Sequence, residues 1–203
     1  HTAFGHKKKL GDALLTSKLG LVGAEYGKAP LYHGHFLSMA SITPISGKAN
    51  LIMSLSAQKL KYADEYVGYD VTSKNYEVGI ENSSDVTWHQ IIKAGYLKYP
   101  AQYRFNAFDE SYASALISKE FSGGWRAWTE FLMQNKKFYG EDPLFGLTRK
   151  DRVNNWVLGL ANTDLNLRGW TPKILFTNSL GRSNIELHRY KQNTISLTFG
   201  KVF

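Results

Sequence analysis

The side chains able to do chemistry are few and far apart. His33 and His35, separated by Gly34, would present two imidazoles on one face of a strand, half of a metal site. No third or fourth ligand follows nearby, so they read as surface histidines at a loop-strand junction. Glu110-Ser111 and His188 supply the residue types of a Ser-His-acid triad, but no nucleophile motif surrounds Ser111. Asp64-Glu65 and Glu141-Asp142 are adjacent carboxylates in expected loops, where some membrane proteases hold their acids and where solvated pairs are commoner. The glycines are scattered and form no phosphate-binding loop. The residues therefore describe a chain with no catalytic group, no cofactor and no metal.

Such a chain is defined by its frame. It has 203 residues, of which 43% are hydrophobic and 14% aromatic, enough for one domain over 1–203. No run of about 18 apolar residues occurs, which argues against a spanning helix. A membrane protein without one must be a closed β-barrel, because only helices and barrels satisfy every backbone group in lipid. Aromatic girdles are usual in such barrels, although a soluble sandwich is also aromatic-rich. The absence of cysteine fits an envelope protein that uses no disulfides. The net charge of +8 raises the question of nucleic acid. The basic residues are dispersed, however, with Lys7-Lys8-Lys9 the densest cluster, and read as solvated lysines in contact with anionic lipid headgroups. No nucleic-acid partner is expected.

Period-two alternation runs through most of the chain. Expected strands are Leu14 to Tyr26, Leu31 to Ile45, Leu51 to Gln58, Asn75 to Glu81, Thr87 to Tyr99, Ser111 to Phe121, Trp125 to Tyr139, Val153 to Leu167, and two flanking the loop Gly181 to Gln192. In the last, Ile195, Leu197, Phe199 and Phe203 share one parity and Thr194, Ser196, Thr198 and Gly200 the other. Phe199 and Phe203 thus form an aromatic C-terminal signal of the kind read by barrel assembly machinery. In the eighth strand the pattern slips between Leu160 and Leu165, as a bulge would make it. The connections alternate long and short: Gly27 to Gly34, Ser46 to Lys48, Lys59 to Ser73, Asn82 to Asp85, Tyr99 to Glu110, Gly123-Gly124, Gly140 to Lys150, Arg168 to Trp170, Gly181 to Gln192. Short periplasmic turns, longer extracellular loops and an even strand number are the pattern of outer-membrane barrels. The expected fold is an all-β, antiparallel up-and-down transmembrane β-barrel of ten strands. Both termini would lie on the periplasmic, short-turn side, and the hairpin ending at Phe203 would close the barrel.

Charged residues of the opposite parity would line the lumen: Lys18, Glu77, Glu81, Arg126 and Glu130. Arg126 and Glu130, four apart, would share a face and could pair. Such a set either braces a narrow barrel or lines a pore; ten strands leave little open channel.

Three stretches near the C-terminus are distinctive: Arg149-Lys150-Asp151, Gly169-Trp170-Thr171-Pro172, and Arg182-Ser183-Asn184-Ile185-Glu186-Leu187-His188-Arg189-Tyr190, followed by Lys201-Val202-Phe203. They resemble the C-terminal barrel of the surface lipoprotein assembly modulator (Slam) family, best over about the last sixty residues. The resemblance marks Arg149, Asp151, Arg182, Ser183, Asn184 and Tyr190 as an outer-loop motif. It implies a translocon in the outer membrane of a Gram-negative bacterium that delivers client lipoproteins, or soluble haem-binding proteins, to the cell surface. Family members carry a periplasmic tetratricopeptide-repeat domain and a fourteen-stranded barrel. No 34-residue helical repeat is present here and ten strands are read instead of fourteen, so either the first four strands and the repeat domain lie outside this sequence, the expectation preferred, or the chain is a reduced or different barrel. A small porin or ligand-binding adhesin barrel is the second reading, and a soluble β-sandwich binding module the third.

Overall fold

The computed structural model describes residues 2–26, 29–83, 87–165 and 170–201. Most of them are strand. In chain order these are β1 (Thr2–Leu10), β2 (Ala13–Tyr26), β3 (Ala29–Ser46), β4 (Ala49–Tyr62), β5 (Val71–Asn82), β6 (Trp88–Tyr99), β7 (Phe108–Glu120), β8 (Trp125–Glu141), β9 (Thr148–Asn162), β10 (Trp170–Ser183) and β11 (Tyr190–Lys201). Short 3-10 helices at Asp64–Tyr69 and Glu186–His188 sit between β4 and β5 and between β10 and β11. Every strand pairs antiparallel with its sequence neighbour in one eleven-stranded up-and-down sheet. The fold is the expected β-barrel type, and a sandwich of two packed sheets is excluded.

The distribution of apolar side chains gives the physical reason. Among the described residues few hydrophobic side chains are buried, and the one cluster is Val22, Leu60 and Val71, flanked by Tyr32, Tyr62 and Tyr99. By contrast Leu19, Leu37, Leu55, Val78, Ile92, Phe131, Leu158, Ile174 and Leu197 are all exposed. Cross-strand register puts these on one face: Leu19 opposes Leu37, Leu158 opposes Phe176, and Ile174 opposes Leu197. A sheet that turns its large apolar residues outward is stable only with that face in hydrocarbon. On β6 the outward residues run from Trp88 to Tyr96 before Lys98 ends the apolar stretch. At about 3.3 Å per residue and a tilt near 40°, that is roughly 20 Å, most of the roughly 25 Å of a barrel's apolar band.

Several expectations are corrected. The described residues form eleven strands, not ten. β1 escapes sequence reading because its run Lys7-Lys8-Lys9 has no alternation, yet it pairs with β2 along its length, from Thr2–Leu21 to Leu10–Ala13. The odd count places Thr2 and Lys201 at opposite ends of the sheet, so the ends of the described chain do not share a side. The β10–β11 hairpin forms as expected, but β11 has no second partner strand among the described residues and does not close on β1. The long loop at Gly27 to Gly34 does not exist, since β2 reaches Tyr26 and β3 starts at Ala29. The other long connections shrink to residues 63–70, 100–107, 142–147 and 184–189, because strand pairing continues into polar sequence.

The two ends nevertheless differ. The turn end carries Gly11-Asp12 and Gly47-Lys48, and also Gly123 and Gly124, whose φ of 71° and 70° glycine adopts without strain. The loop end carries both 3-10 helices. The slip in the eighth strand is not a bulge: β9 pairs with β10 without a register shift and ends at Asn162. There the side-chain oxygen of Asn162 accepts the N–H groups of Asp164 and Leu165 and turns the chain. The turn at Arg168 to Trp170 and the residue Phe203 fall largely or wholly outside the described residues.

Candidate functional site

The inward face carries polar side chains in the register that the outward face gives to apolar ones. Glu77 on β5 faces Lys93 on β6 across one diagonal step, and the carboxylate lies 3.1 Å from the ammonium. The Tyr112 hydroxyl from β7 donates to Glu77 at 3.2 Å and lies 3.1 Å from Asn75 Oδ1. That ring lies over Gly95, where a Cβ would come within 2.2 Å of it. Glu81, nearer the turn end on the same strand face, contacts His89 Nε2 at 2.6 Å and accepts from Asn50 at 3.4 Å. Toward the loop end Glu110, only 4% exposed, accepts from Gln134 at 2.6 Å and pairs with Lys136 at 3.2 Å. Lys136 also caps the Phe108 ring at 4.9 Å. A hollow of about 340 Å³ lies between Glu77, Lys93, Tyr112 and Glu130.

Of the lumen residues expected from sequence, Glu77 and Glu81 sit in this network. Lys18 lies on the same face by register, opposite Gly5 and Ser38, but remote from it on β2. Arg126 bonds Ser118 at 3.4 Å, and the expected Arg126–Glu130 pair does not form among the described residues. Sequence reading missed His89, Lys93, Tyr112, Gln134 and Lys136, and weighed Glu110 only as a triad acid. Hairpin register would have found two of them: once β5 and β6 are joined across residues 83–87, Lys93 falls diagonal to Glu77 and His89 diagonal to Glu81.

The second constellation is a clasp at the loop end. Arg149 grips Asp151 with Nε at 2.7 Å and Nη2 at 2.6 Å, and its guanidinium stacks 4.5 Å over Phe138. Asp151 registers with Ser183 on β10. Ser183 Oγ accepts the Ile185 N–H at 3.1 Å, and its carbonyl accepts Arg189 Nε at 2.8 Å. Asn184 reaches back to β9 twice: its oxygen accepts Lys150 N–H at 2.7 Å and its amide donates to the Thr148 carbonyl at 3.0 Å. These bonds bury Ile185 to 2% exposure. Tyr190 lays its ring on Gly181, where a Cβ would lie 2.2 Å from it. Ser183 and Asn184 thus tie the loop to β10 and β9, Arg149 reaches it at His188 with Asp151 holding its guanidinium, and Tyr190 packs β11 on β10. Arg182 takes no part; it points outward, opposite Arg152. Asn184→Ala removes two bonds worth about 1 kcal/mol each. It is expected to open residues 184–189 to protease while leaving the strands intact, as a time course of limited digestion would read.

The triad residue types, set aside in the sequence for want of a nucleophile motif, are not arranged as a triad. Glu110 and Ser111 are neighbours on β7 and so face opposite sides of the sheet. His188 instead lies 3.5 Å from Asp142 and 3.5 Å from Arg149 Nη1. His33 and His35 share a face as expected, but it is the outward one, and the described residues hold no metal-binding cluster. Asp142 accepts the Leu144 N–H at 2.9 Å, which with His188 holds its carboxyl below the usual range. A lowered acid gives order that is present above its unfolded pKa, about 3.9, and lost as pH falls through the folded value. Exchange protection of the Leu144 amide is therefore expected to hold from pH 7 to 5 and to fall below about pH 4. Asp142→Asn should abolish that dependence.

Residues 88–203, more than half of the chain, match the family model described as surface lipoprotein assembly modifier. The chain belongs to this family. The matched segment spans β6 to β11 and contains the whole clasp and the Glu110–Lys136 pair, whereas Glu77 and Glu81 lie upstream of it. Surface lipoprotein assembly modifier 2 of Haemophilus influenzae is 31% identical over 67 residues, which is 33% of this chain and 14% of that protein. The chain thus matches a small part of the length of that assembly modifier. A crystal structure of OccAB3, an outer-membrane porin of Acinetobacter baumannii, superposes with a TM-score of 0.56 at 15% identity, over 97% of this chain and 53% of that one. That likeness shows the fold, the antiparallel wall of a β-barrel.

Proposed function

We propose that this chain is part of the outer-membrane barrel of a translocon that delivers surface lipoproteins, or secreted haem-binding proteins, across the outer membrane. The family match over residues 88–203 carries this reading. The inner wall supports it physically. Its ion pairs run between adjacent strands, from Glu77 to Lys93 and from Glu110 to Lys136, so they stiffen the wall. A wall braced in this way leaves a polar, hydrated surface along which an extended polypeptide can exchange hydrogen bonds with water and side chains. In this reading the loop end is extracellular, the Lys201 end is periplasmic, and barrel assembly machinery inserts the chain by its C-terminal aromatic strand. The clasp then holds the 184–189 loop at the exit.

The test is surface display. With the gene deleted, a lipoprotein encoded beside it should be lost from protease-accessible positions on intact cells and return on complementation; unchanged display would remove the reading. A second reading, a diffusion porin, draws on the likeness to OccAB3. It requires discrete conductance steps from the purified chain in planar bilayers without any client present.

A further inference from the structure

The outward face changes character at the loop end. Above the apolar band, register places cations directly opposite one another on neighbouring strands: Lys74 faces Lys98, Lys137 faces Lys150, and Arg152 faces Arg182. All six are exposed. Opposed side chains in a sheet lie about 5 Å apart, and like charges in that arrangement destabilise it. No ion pair among the described residues joins any of the six to a carboxylate. Asp109 separates Lys98 from Lys137, but it is engaged by the Tyr139 hydroxyl. Glu141, opposite Thr148, stands at the edge of the row.

Asp109 offsets one charge and Asn135 accepts from Arg152 at 2.9 Å, which leaves three opposed like-charge pairs with a cationic surplus that an external anion would relieve. Their height names it. Each cation continues the parity of the hydrocarbon-facing residues, for example Tyr76 and Val78 before Lys74, and Ala94 and Tyr96 before Lys98. Side chains there reach the headgroup layer and no aqueous cavity. We propose that this row is a binding belt for anionic, phosphate-bearing lipid headgroups, which bridge the opposed cations and seat the barrel at its loop end. Two adjacent cations about 5 Å apart can share one phosphate, and successive strands can bind successive headgroups. The proposal needs only that the sheet sits in a membrane, and does not depend on delivery of any client.

The experiment is lipid retention by the full chain, purified in detergent and read by native mass spectrometry with phosphatidylglycerol, phosphatidylcholine or inorganic phosphate added. Phosphatidylglycerol should be retained well above phosphatidylcholine, and inorganic phosphate should not displace it. K74Q/K98Q and R152Q/R182Q should each weaken retention, by about fivefold per cation removed. K74R/K98R, which keeps the charge, should retain lipid as the parent does. Heat-modifiable migration on a gel checks that each variant is folded. Equal retention of the two lipids by the parent chain overturns the belt. So does full retention by the folded glutamine variants, and displacement by inorganic phosphate reduces it to a small-anion site.

Discussion

Lys136→Met is expected to lower the stability of the folded sheet by about 2–3 kcal/mol, and adding Glu110→Gln is expected to recover most of that loss. Glu110 is 4% exposed, with Lys136 at 3.2 Å and Gln134 at 2.6 Å as its partners. Removing the ammonium strands a carboxylate that water barely reaches, and breaking a buried pair from one side costs about 3–5 kcal/mol. Lys136 is itself partly hydrated, which brings the figure down. Neutralising the acid as well removes the uncompensated charge, while the amide introduced by Glu110→Gln can still bond Gln134. Urea unfolding of the chain refolded into vesicles, followed by tryptophan fluorescence, measures both. A single variant as stable as the parent would mean that the inner wall is too wet for its pairs to brace anything.

How far the sequence speaks for this fold depends on which property is asked for. Strand identity is legible because Leu51, Met53 and Leu55 alternate against Ser54 and Ser56, and a period of two needs no tertiary information. Strand ends are not. Pairing continues through Lys59 to Tyr62, where Leu60 and Tyr62 move the apolar parity to the inward face, and through Asn178 to Ser183, where Leu180 alone is strongly apolar; the outward alternation that marks the strand stops there, and backbone hydrogen bonding, indifferent to side-chain type, carries the pairing on. β1 is hidden for the same reason, and the apparent eighth-strand slip is a strand end made by Asn162. The inner network needs register. Glu77 is visible as a polar residue on the wet parity, but only the β5–β6 alignment brings Lys93 to it. The clasp is legible as a motif, and its mechanism is not. Nothing in the string Ser183-Asn184-Ile185 shows that Asn184 bonds backward to Thr148 and Lys150 on another strand.

Leu158→Arg against Val157→Arg is the sharpest contrast the sheet offers, because two adjacent residues of one strand have opposite solvents. Leu158 points outward between Thr129 and Phe176 in the apolar band. A guanidinium there costs about 2–4 kcal/mol at the middle of the hydrocarbon. Val157 points inward, opposite Glu130 and Thr177. Arginine at that position gains an acidic neighbour in a hydrated lumen, and the change should stay within about 1 kcal/mol. The same vesicle unfolding assay reads both variants. In a soluble protein whose core lay on the inward face the order would reverse, with Val157→Arg ruinous and Leu158→Arg harmless. The sign of the difference therefore tests which face of the sheet meets lipid. It does so without reference to family, client or orientation, since it rests only on the parity of β9 and the solvent on either side of it.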